Sequence, residues 1–100
     1  MQRFKEVICS DGFRMSVQAS ETHYCSPRED GAEKYTAVEV GYPTPPAPLL
    51  MYLAEDQDAP TMTVYPFVPA QLVALVIAKH GGMVAGQMPP GVAPLRAVDE

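Results

Sequence analysis

Residues 68–82 carry the clearest secondary-structure signal in the chain, and they predict a helix near its C-terminal end. Pro69 suits the first helical position, because its fixed φ fits there and its missing N–H loses no hydrogen bond. Gly81 suits the left-handed residue just past the helix, and the positive charge of Lys79 favours the last turn. At about 100° per residue, one face holds Leu72, Val73, Val76, Ile77 and His80, and we expect that face to cover a sheet.

The opposite face of this helix lacks charge. It consists of Gln71, Ala74, Leu75 and Ala78, at spacings i, i+3, i+4 and i+7. A helix face that meets water normally carries charged residues, and here only Gln71 is polar. Two interpretations stay open: an ordinary surface with one exposed leucine, which is common, or a second contact face for a protein partner or a second copy of the chain.

The first twenty residues predict a β-hairpin. Apolar and polar residues alternate from position 13 to position 20, which is the period of a half-buried strand. A turn at Asp11 and Gly12 precedes this alternation. We prefer a three-residue loop with Gly12 left-handed, because that register opposes apolar pairs, namely Cys9 with Phe13 and Val7 with Met15.

Three further segments predict strands: residues 35–42, 49–54 and 62–68. The almost wholly apolar segment 49–54 fits a central strand buried on both faces, whereas Pro66 places residues 62–68 at an edge. The prolines of residues 43–48 predict a stiff linker. The fold class is therefore α+β: an antiparallel sheet of four to five strands, an N-terminal hairpin plus a meander, covered by one C-terminal helix. We expect one domain at 1–82 and a flexible Pro/Gly-rich tail at 83–100.

Composition and charge argue against several classes of partner. The chain has 100 residues and a net charge of −5, whereas a nucleic-acid backbone requires a basic surface, so we expect no nucleic-acid binding. No apolar run approaches ~18 residues, so we expect no membrane span. The N-terminal residues lack the apolar core of a signal peptide. We therefore expect the two cysteines to be reduced thiols in a cytoplasm.

Two cysteines and two histidines make up a Cys2His2 inventory: Cys9, His23, Cys25 and His80. Zinc sites usually take two ligands from a tight knuckle, and His23 and Cys25 are too close in sequence to form one. A small zinc-binding domain therefore remains an alternative, and whether the four residues meet in space is open. Cys25 and His23 also lack the orienting acid and oxyanion hole of a nucleophilic site. We expect no enzyme, no metal and no cofactor.

The segment 21–34 has no periodicity and is long for a loop in a small domain. Loops of this length are usually functional or mobile. Tyr24 lies in it, and tyrosine is favoured at protein interfaces because it joins a large apolar body to a polar tip. We take Tyr24 and the nearby Arg28 as candidate partner-binding residues, beside those of the outer helix face.

Five segments together resemble small proteins of tailed bacteriophages and prophages of proteobacteria; they are residues 6–19, 24–28, 38–43, 60–65 and 78–82. The resemblance covers about residues 3–86. It implies a phage gene product in the cytoplasm of a bacterial host or in a virion, and no activity is attached to that group.

Two functions compete in that context. The first is a non-catalytic accessory protein that binds and modulates a host protein, for example an inhibitor of a host defence system such as CRISPR. The second is a minor virion or assembly component, for which the Pro-rich segment and the tail would provide docking elements. The partner is thus a host protein, a virion protein or a second copy, with a homodimer through the helix as one possibility.

Overall fold

In the described part of the chain, five strands form one antiparallel sheet, and one α-helix lies against it. The computed structural model describes residues 3–97 of the chain. The strands are β1 (Val7–Cys9), β2 (Arg14–Gln18), β3 (Ala37–Thr44), β4 (Val64–Pro69) and β5 (Met83–Ala85), and the helix α1 is Ala70–Lys79. The strand order is β4-β3-β2-β1-β5, with all neighbours antiparallel. The predicted α+β fold class is confirmed.

The β1–β2 hairpin has the predicted register. Val7 lies opposite Met15, and the Cys9 N–H donates to the Phe13 carbonyl at 2.7 Å. Gly12 has a φ of 93°, the left-handed conformation that closes a three-residue loop and favours glycine. The four apolar side chains of these two pairs are buried, so the register brings them to the core face.

The inner face of α1 is the predicted one. Val73, Val76 and Ile77 are buried in the core, whereas Leu72 and His80 are partly buried. Pro69 does not occupy the predicted first helical position: it is the last residue of β4, lies just before Ala70 and makes no side-chain capping hydrogen bond. The chain leaves α1 through Gly81, whose φ is 87°.

The strand predicted for residues 49–54 is wrong. Residues Pro48–Leu53 form a 3₁₀ helix instead, with Pro48 at its first position, where proline is favoured. Only Leu50 of this segment is fully buried, while Leu49 and Tyr52 are exposed. A central strand would bury both faces, whereas this run contributes the fully buried Leu50 and the partly buried Leu53 to the core.

The linker predicted for residues 43–48 begins later than expected, because β3 extends to Thr44. β3 also departs from strict alternation at its end. Val38 and Val40 are buried as expected, but Tyr42 is 53% exposed. Its φ of 53° reverses the alternation, and the β2–β3 register shifts in this region. β4 lies at the sheet edge, as Pro66 predicted.

The segment after residue 82, which we expected to be a flexible tail, packs against the domain. β5 pairs with β1 through Cys9 and Met83, and the Tyr35 N–H donates to the Pro90 carbonyl at 2.8 Å. Met83 and Val92 are buried in the same core. The Pro/Gly composition therefore accompanies an ordered segment, at least to residue 97; residues 98–100 lie outside the described part of the tail.

Candidate functional site

The outer face of α1 forms one wall of an open apolar groove. Gln71, Ala74, Leu75 and Ala78 line it, as the helical spacing places them together, and Leu95 lines it from the C-terminal segment. The groove has a volume of about 370 Å³. Leu75 is 59% exposed, whereas Val76 and Ile77, its neighbours in sequence, are buried. The helix therefore presents one apolar face to the core and a second one to solvent. We call this surface the outer groove.

Leu95 is the residue of the outer groove that the sequence did not indicate. Backbone bonds hold it in place: the Met83 N–H donates to the Leu95 carbonyl at 2.8 Å, and the Ala97 N–H donates to the Met83 carbonyl at 2.9 Å. Met83 and Arg96 form a parallel bridge in the same region. No local pattern in the Pro/Gly-rich segment predicts these long-range bonds, so the sequence alone could not identify Leu95 as a residue of the outer groove.

No charged side chain lines the outer groove, since Gln71 is its one polar residue. Gln71 also lines an adjoining depression at the first turn of α1, together with Lys34, Tyr35, Thr36, Pro69, Ala70 and Gly91. The two depressions thus adjoin at Gln71. Together they extend along the helix from the uncharged outer groove to a more polar end, where Lys34 and Thr36 lie near Pro69.

Tyr24 and Arg28, the two candidates in the loop, lie together in a second place. The Arg28 Cζ lies 5.1 Å from the centroid of the Tyr24 ring, within the range of a cation–π contact. Phe67 of β4 joins them, with its ring centroid 6.0 Å from that of Tyr24. Tyr24 is 40% exposed and Phe67 is 49% exposed. We call these three residues the Tyr24 cluster.

The backbone of the Tyr24 cluster is fixed by two hydrogen bonds. The Tyr24 N–H donates to a Glu39 carboxylate oxygen at 3.0 Å, and the Phe67 N–H donates to the Tyr24 carbonyl at 3.1 Å. Phe67 has a φ of 51°, and the β3–β4 register shifts between Val38 and Val40. The alternation of residues 62–68 gave no sign of this irregularity, which is why Phe67 was not among the predicted site residues.

His23 and Cys25 are buried in the loop and both bond to Ser20. The Ser20 hydroxyl and His23 Nδ1 share a hydrogen bond of 2.7 Å, and the Cys25 thiol donates to the Ser20 carbonyl at 3.1 Å. Ser20 is fully buried and Cys25 nearly so. These polar atoms have partners within the loop, so the geometry favours a role in loop structure.

Cys9 and His80 lie at other places in the fold. Burial first, and then the nearby Asp11 charge, raise the pKa of the Cys9 thiol to about 11, which keeps it protonated and unreactive. The His80 ring stacks on Phe13 at 4.0 Å. Within residues 3–97, no three His, Cys, Asp or Glu side chains are grouped so that they could hold a metal ion.

No helix within residues 3–97 has the length and apolar character needed to cross a membrane. Comparisons of the chain with protein-family models, with curated proteins and with solved structures gave no match.

Proposed function

We propose that this chain is a non-catalytic protein-binding domain and that the outer groove is its contact surface. The observation that carries the proposal is the exposed, uncharged face of α1, where Leu75, Ala78 and Leu95 meet around an open groove. Apolar patches with a polar rim are typical of protein contact sites. The two alanines on this face would also let the backbone of a partner segment approach closely.

The dimensions of the helix favour a foreign partner over a second copy. Ten residues of α-helix span only about 15 Å. A stable interface usually buries ~800 Å² on each partner, which is more than a symmetric contact confined to one such helix provides. An apolar segment of another protein can fill the groove lengthwise and extend onto the adjoining surfaces. A nucleic-acid partner is disfavoured by the net charge of −5.

The resemblance to phage and prophage proteins supports a host protein as the partner, whose activity this chain would modulate in the bacterial cytoplasm. The alternative, a minor virion component, relied on the Pro-rich segment 43–48 and on a free tail. Residues 43 and 44 belong to β3, and residues 83–85 belong to β5. The Pro-rich segment and the tail are therefore partly built into the sheet, and neither favours a virion component over a host-binding protein.

Two measurements test this proposal. Affinity capture from infected cells, compared with mass spectrometry of purified virions, separates a host-directed protein from a virion component. Light scattering of the wild type, Leu75→Glu and Ala78→Arg separates self-contact from foreign contact. We expect a monomer in all three and no copies in the virion. A wild-type dimer that both variants convert to folded monomers would instead establish the homodimer.

A further inference from the structure

Phe67 holds its ring at the protein surface in a backbone conformation that is unfavourable for a bulky residue. Its φ of 51° lies in the left-handed region, where side chains with a Cβ are strained. The ring is 49% exposed, so burial only partly offsets this strain. Glycine would adopt the same conformation without the penalty, and any residue but proline could donate the N–H that bonds Tyr24. Strained positions are concentrated at binding sites. Glycine would lack the aromatic ring, so we attribute the presence of Phe67 at this position to its ring.

Arg28 presents an unpaired guanidinium against the Tyr24 ring. No hydrogen bond or ion pair joins it to any residue from 3 to 97, and its contact is the Tyr24 ring. Stacking orients the planar guanidinium and leaves its N–H donors available. Two parallel N–H groups match the two oxygens of a carboxylate. Tyr and Arg are also among the residues that most often dominate the binding energy of protein interfaces.

The surrounding charges limit what this surface can accept. Glu29 and Asp30, which follow Arg28, are exposed, and the Glu39 carboxylate lies at the Tyr24 N–H. A segment with several acidic residues would be repelled by the Glu39 carboxylate at Tyr24 and by the exposed Glu29 and Asp30 that follow Arg28 in sequence. The surface therefore suits one negative group, opposite Arg28. We propose that the Tyr24 cluster is a second contact surface, which binds a single carboxylate next to an aromatic side chain on a segment of a protein partner. This inference does not depend on the outer groove.

A peptide titration tests the inference directly. The probe is a five-residue peptide with one aspartate between two phenylalanines, a lysine at each end and an amidated C-terminus, so that aspartate is its one carboxylate. Its matched control has asparagine in place of aspartate. Binding is followed by the NMR signals of the Arg28 side-chain Nε–H and of the Tyr24 and Phe67 amides. We expect the aspartate peptide to shift these signals and to bind about tenfold or more tightly than the asparagine peptide, because a charged hydrogen bond is lost in the control.

Two variants and two controls distinguish this surface from a nonspecific apolar contact. Arg28→Gln and Phe67→Gly are each expected to weaken the binding of the aspartate peptide about tenfold or more. Arg14→Gln removes a surface arginine that pairs with Glu6 at 3.8 Å, and Tyr42→Gly removes another exposed ring from a left-handed position; both should bind as the wild type does. Phe67→Gly should remain folded, since glycine adopts this φ without strain, and its folding is checked by the dispersion of its NMR amide signals. Equal affinity for the two peptides, unchanged affinity in Arg28→Gln and Phe67→Gly, or no shift at any peptide concentration would overturn the inference.

Discussion

His80 Nδ1 lies 2.7 Å from a carboxylate oxygen of Asp11, which ties the end of α1 to the turn between β1 and β2. The His80 ring also stacks on Phe13 with an interplanar angle of 7°. The other Asp11 oxygen accepts the Phe13 N–H at 3.0 Å. Through these contacts one exposed turn holds both the hairpin and the C-terminal end of the helix.

The pH dependence of stability should report the state of Asp11. The Phe13 N–H first, and then His80, hold the pKa of Asp11 below its usual value. A lowered folded-state pKa stabilises the fold above the unfolded-state pKa of about 3.9, and this contribution is lost as the pH falls through the folded-state value. The difference in unfolding free energy between the wild type and Asp11→Asn should therefore shrink as the pH falls through the acid range. Urea denaturation at several pH values measures it. A difference that stays constant down to about pH 2 would contradict this assignment.

The two faces of α1 should respond differently to truncation. Ile77 is fully buried, whereas Leu75 is 59% exposed. We expect Ile77→Ala to lower the free energy of unfolding by about 2–5 kcal/mol, through lost burial and the cavity that remains. Leu75→Ala should cost less than about 1 kcal/mol, as most surface substitutions do. Chemical denaturation measures the free energy of unfolding of both variants. Equal losses would mean that α1 is rotated about its axis, so that Ile77 and Leu75 are buried to similar extents.

The C-terminal segment should contribute substantially to stability. A Cβ at Gly91 would collide with the Tyr35 backbone, whereas a Cβ at Gly12 would meet no atom within 4 Å. The two glycines have similar φ angles, 100° for Gly91 and 93° for Gly12. Gly12→Ala should therefore cost only the backbone strain, about 1–2 kcal/mol, and Gly91→Ala should cost at least about 1 kcal/mol more because of the clash. Equal costs in denaturation experiments would show that residues 86–97 do not pack as described.

Neither a metal ion nor a disulfide should be needed for folding. Cys9 and Cys25 are free and buried, and His23 and His80 have other partners. A chelator and a reductant, added separately, are expected to leave the melting temperature unchanged within error. A loss of several degrees with the chelator alone would support the zinc alternative, because a structural metal contributes directly to folding stability.

Local patterns in the sequence predicted the parts of the fold that local interactions determine. The Asp11–Gly12 turn and the alternation after it fix the register of the first hairpin. Two helical steps of about 100° each put Ile77 and Leu75 on opposite faces of the helix. The segment 49–54 was misassigned as a strand because a short apolar run fits a strand or a helix equally well. β5 was missed because its pairing of Met83 with Cys9 joins distant parts of the chain.

The sequence predicted those residues of the candidate surfaces that a local pattern groups together, and it missed those that long-range contacts bring in. Helical spacing identifies Gln71, Ala74, Leu75 and Ala78 as one face. Leu95 reaches that face only through long-range backbone bonds, so no local pattern indicates it. Strand alternation would place Phe67 on the same buried face as Tyr65. Phe67 is exposed instead because its backbone is left-handed, and its N–H bonds to the Tyr24 carbonyl of the loop, which no local pattern indicates.

The central claim is that the outer groove binds a protein partner, and a quantitative capture experiment tests it most directly. Wild type, Leu75→Glu and Leu49→Glu are each immobilised and exposed to the same infected-cell lysate, and the captured proteins are measured by mass spectrometry. Leu49 is an exposed leucine of the 3₁₀ helix, so its variant controls for a new surface charge. We predict that one specific partner is captured equally by wild type and Leu49→Glu and is lost with Leu75→Glu, while all three remain folded. Equal capture by all three proteins would contradict the claim.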